Sequence, residues 1–222
     1  MILASIETSA RPGSVALWTG SELLEHALTD ARRHASDLLP ALESLLERAG
    51  RDAQELEAVA FGIGPGSFTG VRVAVATALG LARSTGAALC AVPSFEALVH
   101  EHCAPGATLS IALDARAEAY YLARYAFDGA RVQPLTPPSV VSAAELLESL
   151  ATDAGAAIDD GVARLLRANG LDPERHRTDL FASARGIAHV GLERLARLGP
   201  SAPEECEPLY LRPFAVRTRK RG

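Results

Sequence analysis

The amino-acid sequence predicts an α/β protein of two related lobes, each built on a mixed sheet flanked by helices. Three observations lead to this prediction. Strand-like apolar segments alternate with amphipathic helical segments along the 222 residues. A glycine-rich loop connects one of the strands directly to a helix of small residues. A short strand that ends in an acidic residue occurs near the start of the chain and again near its middle, which suggests an internal duplication.

The first half of the chain is predicted to alternate strands with helices. The expected strands are residues 2–8, 14–18, 22–28, 57–61 and 88–92, and the expected helices are residues 32–49, 70–84 and 94–102. In the first helix, Leu38, Leu42 and Leu45 recur at the spacing of one helical face, with Leu39 and Leu46 beside them. This spacing predicts a helix that packs one side against a sheet.

The second half repeats the opening pattern and then departs from it. A predicted strand at 109–114 ends at Asp114, as the first strand ends near Glu7, and a further strand follows at 119–125. The remaining expected elements are helices at 142–150, 162–168 and 183–198 and a short strand at 156–158. Because Pro105-Gly106 interrupts the chain between the halves, we expect an N-terminal lobe at 1–104 and a reduced C-terminal lobe at 105–222. The basic residues at 217–222 are expected to form a flexible tail.

The loop at residues 62–70, with the sequence GIGPGSFTG, is the most distinctive local motif. Proline and glycine together favour an ordered turn, and Ser67 or Thr69 is able to cap the helix that follows. A glycine loop at a helix N-terminus suits anions. The Lys-Ser/Thr pair of a Walker A loop is missing, because Val71-Arg72 follows Gly70, and the spacing also excludes the dinucleotide fingerprint and the nucleophile elbow. On the loop alone, a phosphate-binding turn and a tight turn without a ligand both remain open.

Composition limits the class of protein further. The chain has 48% apolar and 22% charged residues and a net charge of −5, which indicates a globular protein and argues against a broad nucleic-acid-binding surface. Its three widely separated cysteines fit reduced thiols. The sequence shows no signal peptide and no membrane-spanning run, so we expect a cytoplasmic protein without membrane contact. The histidines of His100-Glu101-His102 point in different directions on a helix, so no metal site is predicted.

Several segments in order resemble the actin-like ATPase superfamily and, within it, the bacterial TsaB family. They are Ile2–Ser9, the start of the first helix from His34 to Pro40, the segment GPGSFTGVR at 64–72, Leu113–Arg116, and the PLYLR segment at 208–212. The resemblance spans nearly the whole chain, and GPGSFTGVR is its most specific part. It implies duplicated actin-like, ribonuclease H-like lobes, the second of them reduced.

The resemblance also implies a function. TsaB proteins are partners of TsaD, which transfers a threonylcarbamoyl group to N6 of adenosine 37 in tRNAs that read codons beginning with A. It implies a non-catalytic subunit that forms a heterodimer with TsaD, meets the ATPase TsaE in a ternary complex, forms a homodimer when alone, and contacts tRNA only indirectly. The HxxxH metal motif of TsaD-like proteins is absent from this sequence, so no catalytic residue and no metal are expected.

A vestigial nucleotide site is a further implication of the resemblance. Its residues would be Glu7, Thr8, Gly64, Gly66, Ser67, Thr69 and Asp114. Family members often carry aspartate where Glu7 stands, and Asp159-Asp160-Gly161 adds negative charge to a turn of the second lobe. We therefore expect no required cofactor and no tight binding of ATP and Mg²⁺ by this chain, and leave their binding in the assembled complex open. The alternative is an independent actin-like ATPase or small-molecule kinase, in which Glu7 and Asp114 would face each other around magnesium.

The helices at 32–49 and 70–84 are the expected partner surface. The second of these alternates bulky with small residues and has apolar or small side chains all round, which predicts two buried faces. The expected interface residues are His34, Leu38, Leu42, Arg72, Val75, Leu79 and Ala82. They would form a four-helix contact with TsaD, or with a second copy of this chain. Whether Arg32-Arg33 or the basic tail contacts tRNA is left open.

Overall fold

The computed structural model of the chain describes residues 1–28, 34–153 and 155–211. The strands are β1 (Leu3–Glu7), β2 (Gly13–Trp18), β3 (Leu23–Leu28), β4 (Ala58–Gly62), β5 (Ala88–Val92), β6 (Ala107–Asp114), β7 (Ala119–Phe127), β8 (Val132–Ser142) and β9 (Ala157–Ile158). The helices are α1 (His34–Ala49), α2 (Phe68–Thr85), α3 (Ser94–His102), α4 (Ala143–Thr152), α5 (Asp160–Ala168) and α6 (Ala184–Leu198). The predicted tail at 217–222 and the pair Arg32-Arg33 lie outside the described residues.

Two mixed sheets share one pattern of strand pairing. The first sheet has the order β3-β2-β1-β4-β5, in which β1 pairs antiparallel with β2 and parallel with β4. The second has the order β8-β7-β6-β9, in which β6 pairs antiparallel with β7 and parallel with β9. The central strands β1 and β6 are thus equivalent. The predicted duplication is confirmed, and the second sheet is the smaller because the described residues include no counterpart of β5 in it.

The helices and sheets form five alternating layers. One face of the first sheet packs on α1 and α2 around Leu38 and Phe61. Its other face packs on α3 and α6, and these two helices also cover one face of the second sheet through Phe95, Tyr125 and Ile187. The far face of the second sheet packs on α4 and α5. The layer formed by α3 and α6 is therefore the junction between the two sheets.

Helix α6 lies late in the chain but packs on the first sheet. Its first residue is fixed by two serines of that sheet: the Ala184 amide donates to Ser14 Oγ at 2.7 Å, and Ser5 Oγ donates to the Ala184 carbonyl at 2.7 Å. Ser183 caps the helix and donates from its hydroxyl to Glu101 Oε1 at 2.6 Å. The boundary expected between residues 104 and 105 separates the strands of the first sheet from those of the second. Helix α6 lies after that boundary but packs on the first sheet.

The main element missing from the sequence prediction is β8. It contains Pro134, Pro137 and Pro138, is largely exposed, and forms the edge of the second sheet, where a residue without an amide proton is tolerated. Helix α2 begins at Phe68 rather than at residue 70, because Ser67 caps it. Within the described residues, no helix combines the length and the hydrophobicity needed to cross a lipid bilayer.

Candidate functional site

The glycine loop joins β4 to α2 and packs on the residues that follow β1. The Ser67 amide donates to the Ser9 carbonyl at 2.8 Å, and Ser67 Oγ accepts from the Gly70 amide at 3.3 Å. Gly64 has a φ of +87°, which favours glycine. A Cβ at residue 70 would lie 1.8 Å from the Thr8 carbonyl oxygen, so only glycine fits there. The motif therefore fixes the start of α2 against the end of β1.

Glu7 is completely buried beneath this loop. Its Oε1 accepts from the Ser9 amide at 2.5 Å, while Oε2 has no hydrogen-bond partner among the described residues. Burial raises the pKa of Glu7, and hydrogen bonding from Ser94, Ser9 and Thr8 opposes that rise. Since no ion pair compensates the carboxylate within the described residues, the protein interior favours its protonated form.

The polar groups near Glu7 are satisfied by the protein itself. Thr8 is buried and its Oγ1 donates to the Gly70 carbonyl at 2.7 Å. The Gly64 amide donates to Ser94 Oγ at 3.1 Å, and Gly66 lies against Ser9. Both side chains lie in the interior, so neither is accessible from the surface in this structure, and their role toward a nucleotide stays a prediction.

Two residues of the predicted nucleotide site, Ser67 and Thr69, remain exposed on the surface of the loop and of α2. The hydroxyl of Ser67 caps the helix, as the sequence allowed. Thr69 lines a groove beside α2. These two residues are thus accessible, and Glu7 and Thr8 are not.

Asp114 belongs to a separate cluster at the end of β6. Its amide donates to Asp159 Oδ2 at 3.0 Å, and its Oδ1 accepts from the Arg116 amide at 2.7 Å. Asp159 also caps α5 by accepting from the Val162 amide at 2.9 Å. No hydrogen bond joins Asp114 to Glu7, which lies in the other sheet. Among the described residues, no group of three or more His, Cys, Asp or Glu side chains has the arrangement of a metal site.

The outer faces of α1 and α2 carry several exposed apolar side chains close to the loop. We call this region the α1–α2 surface and define it by Ala35, Leu39, Phe68, Thr69, Arg72, Val73, Ala76 and Leu79. A groove of about 340 Å³ runs through it. Leu39, Phe68 and Leu79 are 43–49% exposed, which is high for large apolar side chains.

Three of the predicted interface residues do not reach this surface. Leu38, Leu42 and Val75 are at most 7% exposed because they fill the core between α1, α2 and the first sheet. That part of the prediction is wrong. Arg72 and Leu79 are exposed and Ala82 is half-buried, and His34 begins α1 with a side chain that lies outside the described part.

Leu39, Phe68 and Tyr210 were not singled out from the sequence as surface residues. The Arg72 guanidinium lies 3.7 Å from the centre of the Phe68 ring, and Arg72 Nε donates to Tyr210 Oη at 2.7 Å. The C-terminal segment is held there by the Leu209 amide, which donates to the Ile63 carbonyl at 2.8 Å. Phe68 lies in the segment GPGSFTGVR and Tyr210 in the segment PLYLR. Their positions in these two motifs could have identified them as candidate surface residues from the sequence.

Comparison with known proteins gives the same family from sequence and from structure. Residues 27–185 match the family model described as TsaD: tRNA N6-adenosine threonylcarbamoyltransferase. The tRNA threonylcarbamoyladenosine biosynthesis protein TsaB of Escherichia coli (strain K12) is 28% identical over 225 residues, covering 96% of this chain and 95% of that protein. The protein of the same name from Bacillus subtilis (strain 168) is 30% identical over 151 residues, covering 68% of this chain and 66% of that protein.

The fold comparison extends over a similar length. A crystal structure from Pseudomonas aeruginosa, described as an uncharacterized protein with similarity to peptidase YEAZ, matches with a TM-score of 0.79 at 26% identity. The match covers 95% of this chain and 99% of that chain. The two lobes are thus duplicated actin-like lobes with a reduced second lobe. The chain belongs to the TsaD family and, within it, to the TsaB proteins.

Proposed function

We propose that the chain is a non-catalytic partner subunit for threonylcarbamoylation of N6 of adenosine 37 in tRNAs that read ANN codons, and that it binds and stabilises a TsaD protein. The observation that carries this proposal is the α1–α2 surface of a chain that matches TsaB proteins over nearly its full length. The tRNA threonylcarbamoyladenosine (t6A) biosynthesis named for those relatives is the process in which we place this chain.

The buried acid beneath the glycine loop supports a role without nucleotide chemistry. A magnesium-nucleotide site needs accessible, ionised carboxylates and free amide protons. Glu7 is buried, and the Gly64 and Ser67 amides already donate within the protein. These observations favour the partner subunit over an independent actin-like ATPase or small-molecule kinase. We infer that this chain requires no cofactor, and that any ATP and Mg²⁺ are bound by the assembled complex.

Binding energy would come from the burial of exposed apolar side chains. Burial of a fully exposed Leu or Phe side chain contributes about 1.5–3 kcal/mol. Leu39, Phe68 and Leu79 are 43–49% exposed, so each would add about half of that as an apolar contact at the centre of a larger interface. The same surface would pair with a second copy when TsaD is absent. TsaE would join the complex through TsaD, and tRNA would be contacted only indirectly.

Replacement of an exposed leucine on the α1–α2 surface tests the proposed interface. Leu39→Arg should weaken binding to purified TsaD by at least about tenfold, because a charge would be buried against an apolar partner. Leu135→Arg is the matched control, since Leu135 is 55% exposed on β8, far along the chain from α1. Titration calorimetry measures both affinities. Equal affinities for the Leu39 and Leu135 variants would place the interface elsewhere.

A further inference from the structure

A cavity of about 270 Å³ lies at the junction of the two sheets, where the start of β8 covers α3 and α6. Its charged lining consists of Glu96 and His100 from α3, Arg131 beside β8, and Glu193, Arg194 and Arg197 from α6. Its size is close to the lower end of small-molecule sites, which measure about 300–1,000 Å³. It lies on the side of the first sheet opposite α1 and α2, so no residue of the proposed interface contributes to it.

The charges of this cavity do not balance. Its three arginines face two glutamates, which leaves one excess positive charge. Arg194 and Glu96 form a closed pair at 3.0 Å, and both side chains are less than a quarter exposed. Burial raises the pKa of Glu96, which Arg194 opposes, so this pair adds no net negative charge. Burial and the neighbouring His189 lower the pKa of His100.

The excess charge belongs to Arg131 and Arg197, which share one carboxylate oxygen. Arg197 Nε donates to Glu193 Oε1 at 2.6 Å, and Arg131 Nε lies 3.6 Å from the same oxygen. Within the described part of the chain, the terminal nitrogens of both guanidinium groups have no hydrogen-bond partner. Glu193 therefore orients two guanidinium groups side by side, and their remaining N–H groups are available to a ligand.

The position of Arg131 is fixed by its own turn. Asp128 Oδ1 accepts from the Ala130 amide at 2.9 Å and from the Arg131 amide at 2.7 Å, and the Asp128 amide donates to the Arg131 carbonyl. Arg197 stands on α6, which is anchored at its start by Ser5 and Ser14. The backbone of Arg131 is thus held by a turn and that of Arg197 by a helix, while Glu193 orients the two side chains, which are 47% and 37% exposed.

The geometry points to a phosphate-bearing small molecule as the ligand, and we propose that Arg131 and Arg197 bind its phosphate group. A carboxylate has two oxygens, which a single guanidinium already satisfies in a bidentate pair. Two adjacent guanidinium groups match the additional oxygens of a phosphate. The rest of the wall is mostly apolar or aromatic: Val132, Pro134, Val190 and the His100 ring line it beside the Gln133 amide. The His100 ring stacks on His189 with 5.1 Å between centroids. The ligand would therefore carry an apolar or ring portion beside its phosphate.

Calorimetric titration of the full chain in phosphate-free buffer at low ionic strength tests this proposal. We expect saturable one-to-one binding of inorganic phosphate, tighter binding of phenyl phosphate because its ring meets the apolar wall, and weaker binding of benzoate. Arg131→Gln and Arg197→Gln should each weaken phosphate binding by about tenfold or more, the effect of losing charge-assisted hydrogen bonds. Arg164→Gln, an exposed arginine of α5, is the matched control and should bind as the unaltered chain does.

Three results would overturn the proposal. One is the absence of saturable binding of either phosphate compound to the unaltered chain, a result that does not depend on whether any variant folds. The second is equal weakening in the Arg164 variant, which would mean that phosphate responds to overall charge. The third is benzoate binding as tightly as phenyl phosphate, which would reject a site built for phosphate. Far-UV circular dichroism checks that the variants are folded.

Discussion

At the scale of single residues, the burial of Glu7 is the observation on which the proposal of a subunit without nucleotide chemistry chiefly rests. The acid stands at the end of the central strand, where an ionised and accessible side chain would be needed for magnesium. Here the side chain is buried, and one of its oxygens lacks a hydrogen-bond partner among the described residues. The acid at the end of the central strand is therefore part of the core in this chain.

Replacement of Glu7 by glutamine tests its protonation. Because burial raises the pKa of Glu7 in the folded state, its contribution to stability is largest below the ordinary pKa of glutamate and falls as the pH rises toward the folded-state pKa. The stability of Glu7→Gln relative to the unaltered chain should therefore increase as the pH rises from about 4 to 8. Urea unfolding at several pH values measures this difference.

Glu145→Gln is the control with the opposite sign. Ser142 hydrogen bonds at the start of α4 lower the pKa of Glu145, so its contribution is present above the ordinary glutamate pKa and is lost as the pH falls. The relative stability of that variant should decrease as the pH rises. If Glu7→Gln follows the same direction as Glu145→Gln, the buried acid is ionised in the folded protein.

Gly70 and Gly80 lie on the same helix but have opposite surroundings. A Cβ at Gly70 would collide with the Thr8 carbonyl, and a Cβ at Gly80 would meet nothing within 4 Å. Gly70→Ala should lower the free energy of unfolding by about 1–3 kcal/mol, as overpacking does. Gly80→Ala should raise it by about 0.5–1 kcal/mol, because glycine weakens a helix interior. Urea unfolding of both variants checks this contrast, and similar effects would contradict the close contact of the loop with β1.

At the scale of elements, hydrophobic periodicity located most helices and strands of the described chain. The predictions at 88–92 and 94–102 coincide with β5 and α3. Periodicity failed for β8, whose prolines hide the strand pattern, and for α2, whose apolar or small residues lie on every side. Prolines removed the strand signal from β8, although an edge strand tolerates them. Helix α2 has apolar or small residues all round, so its sequence did not distinguish the core face of Val75 from the outer face of Phe68.

Helix α1 allows a direct test of this distinction, because Leu38 and Leu39 are neighbours with opposite burial. Leu38 is fully buried and Leu39 is 49% exposed. Leu38→Ala should lower the free energy of unfolding by about 2–5 kcal/mol because it leaves a cavity in the core, while Leu39→Ala should change it by less than about 0.5 kcal/mol. Guanidinium unfolding measures both. A larger loss of unfolding free energy in Leu39→Ala than in Leu38→Ala would mean that α1 packs its other face on the sheet.

At the scale of the whole molecule, the duplication was visible in the sequence and the layering was not. The recurrence of an acid-ended strand identified β1 and β6 as equivalent centres of two sheets. Nothing in the periodicity of α6 indicated which sheet it would cover, since an amphipathic helix needs only some apolar surface. Its return to the first sheet depends on Ser5, Ser14 and Glu101, which are distant in sequence from Ala184 and become neighbours only in the fold.

We propose that this chain supports threonylcarbamoylation through the α1–α2 surface and without a reaction of its own. Mass spectrometry of tRNA nucleosides from cells depleted of the chain tests this most directly, with complementation by plasmid-borne variants expressed at equal levels. We expect that t6A is lost on depletion, is restored by the unaltered chain, by Glu7→Gln and by the control Leu135→Arg, and is not restored by Leu39→Arg. Undiminished t6A after depletion, or full restoration by Leu39→Arg, would contradict it.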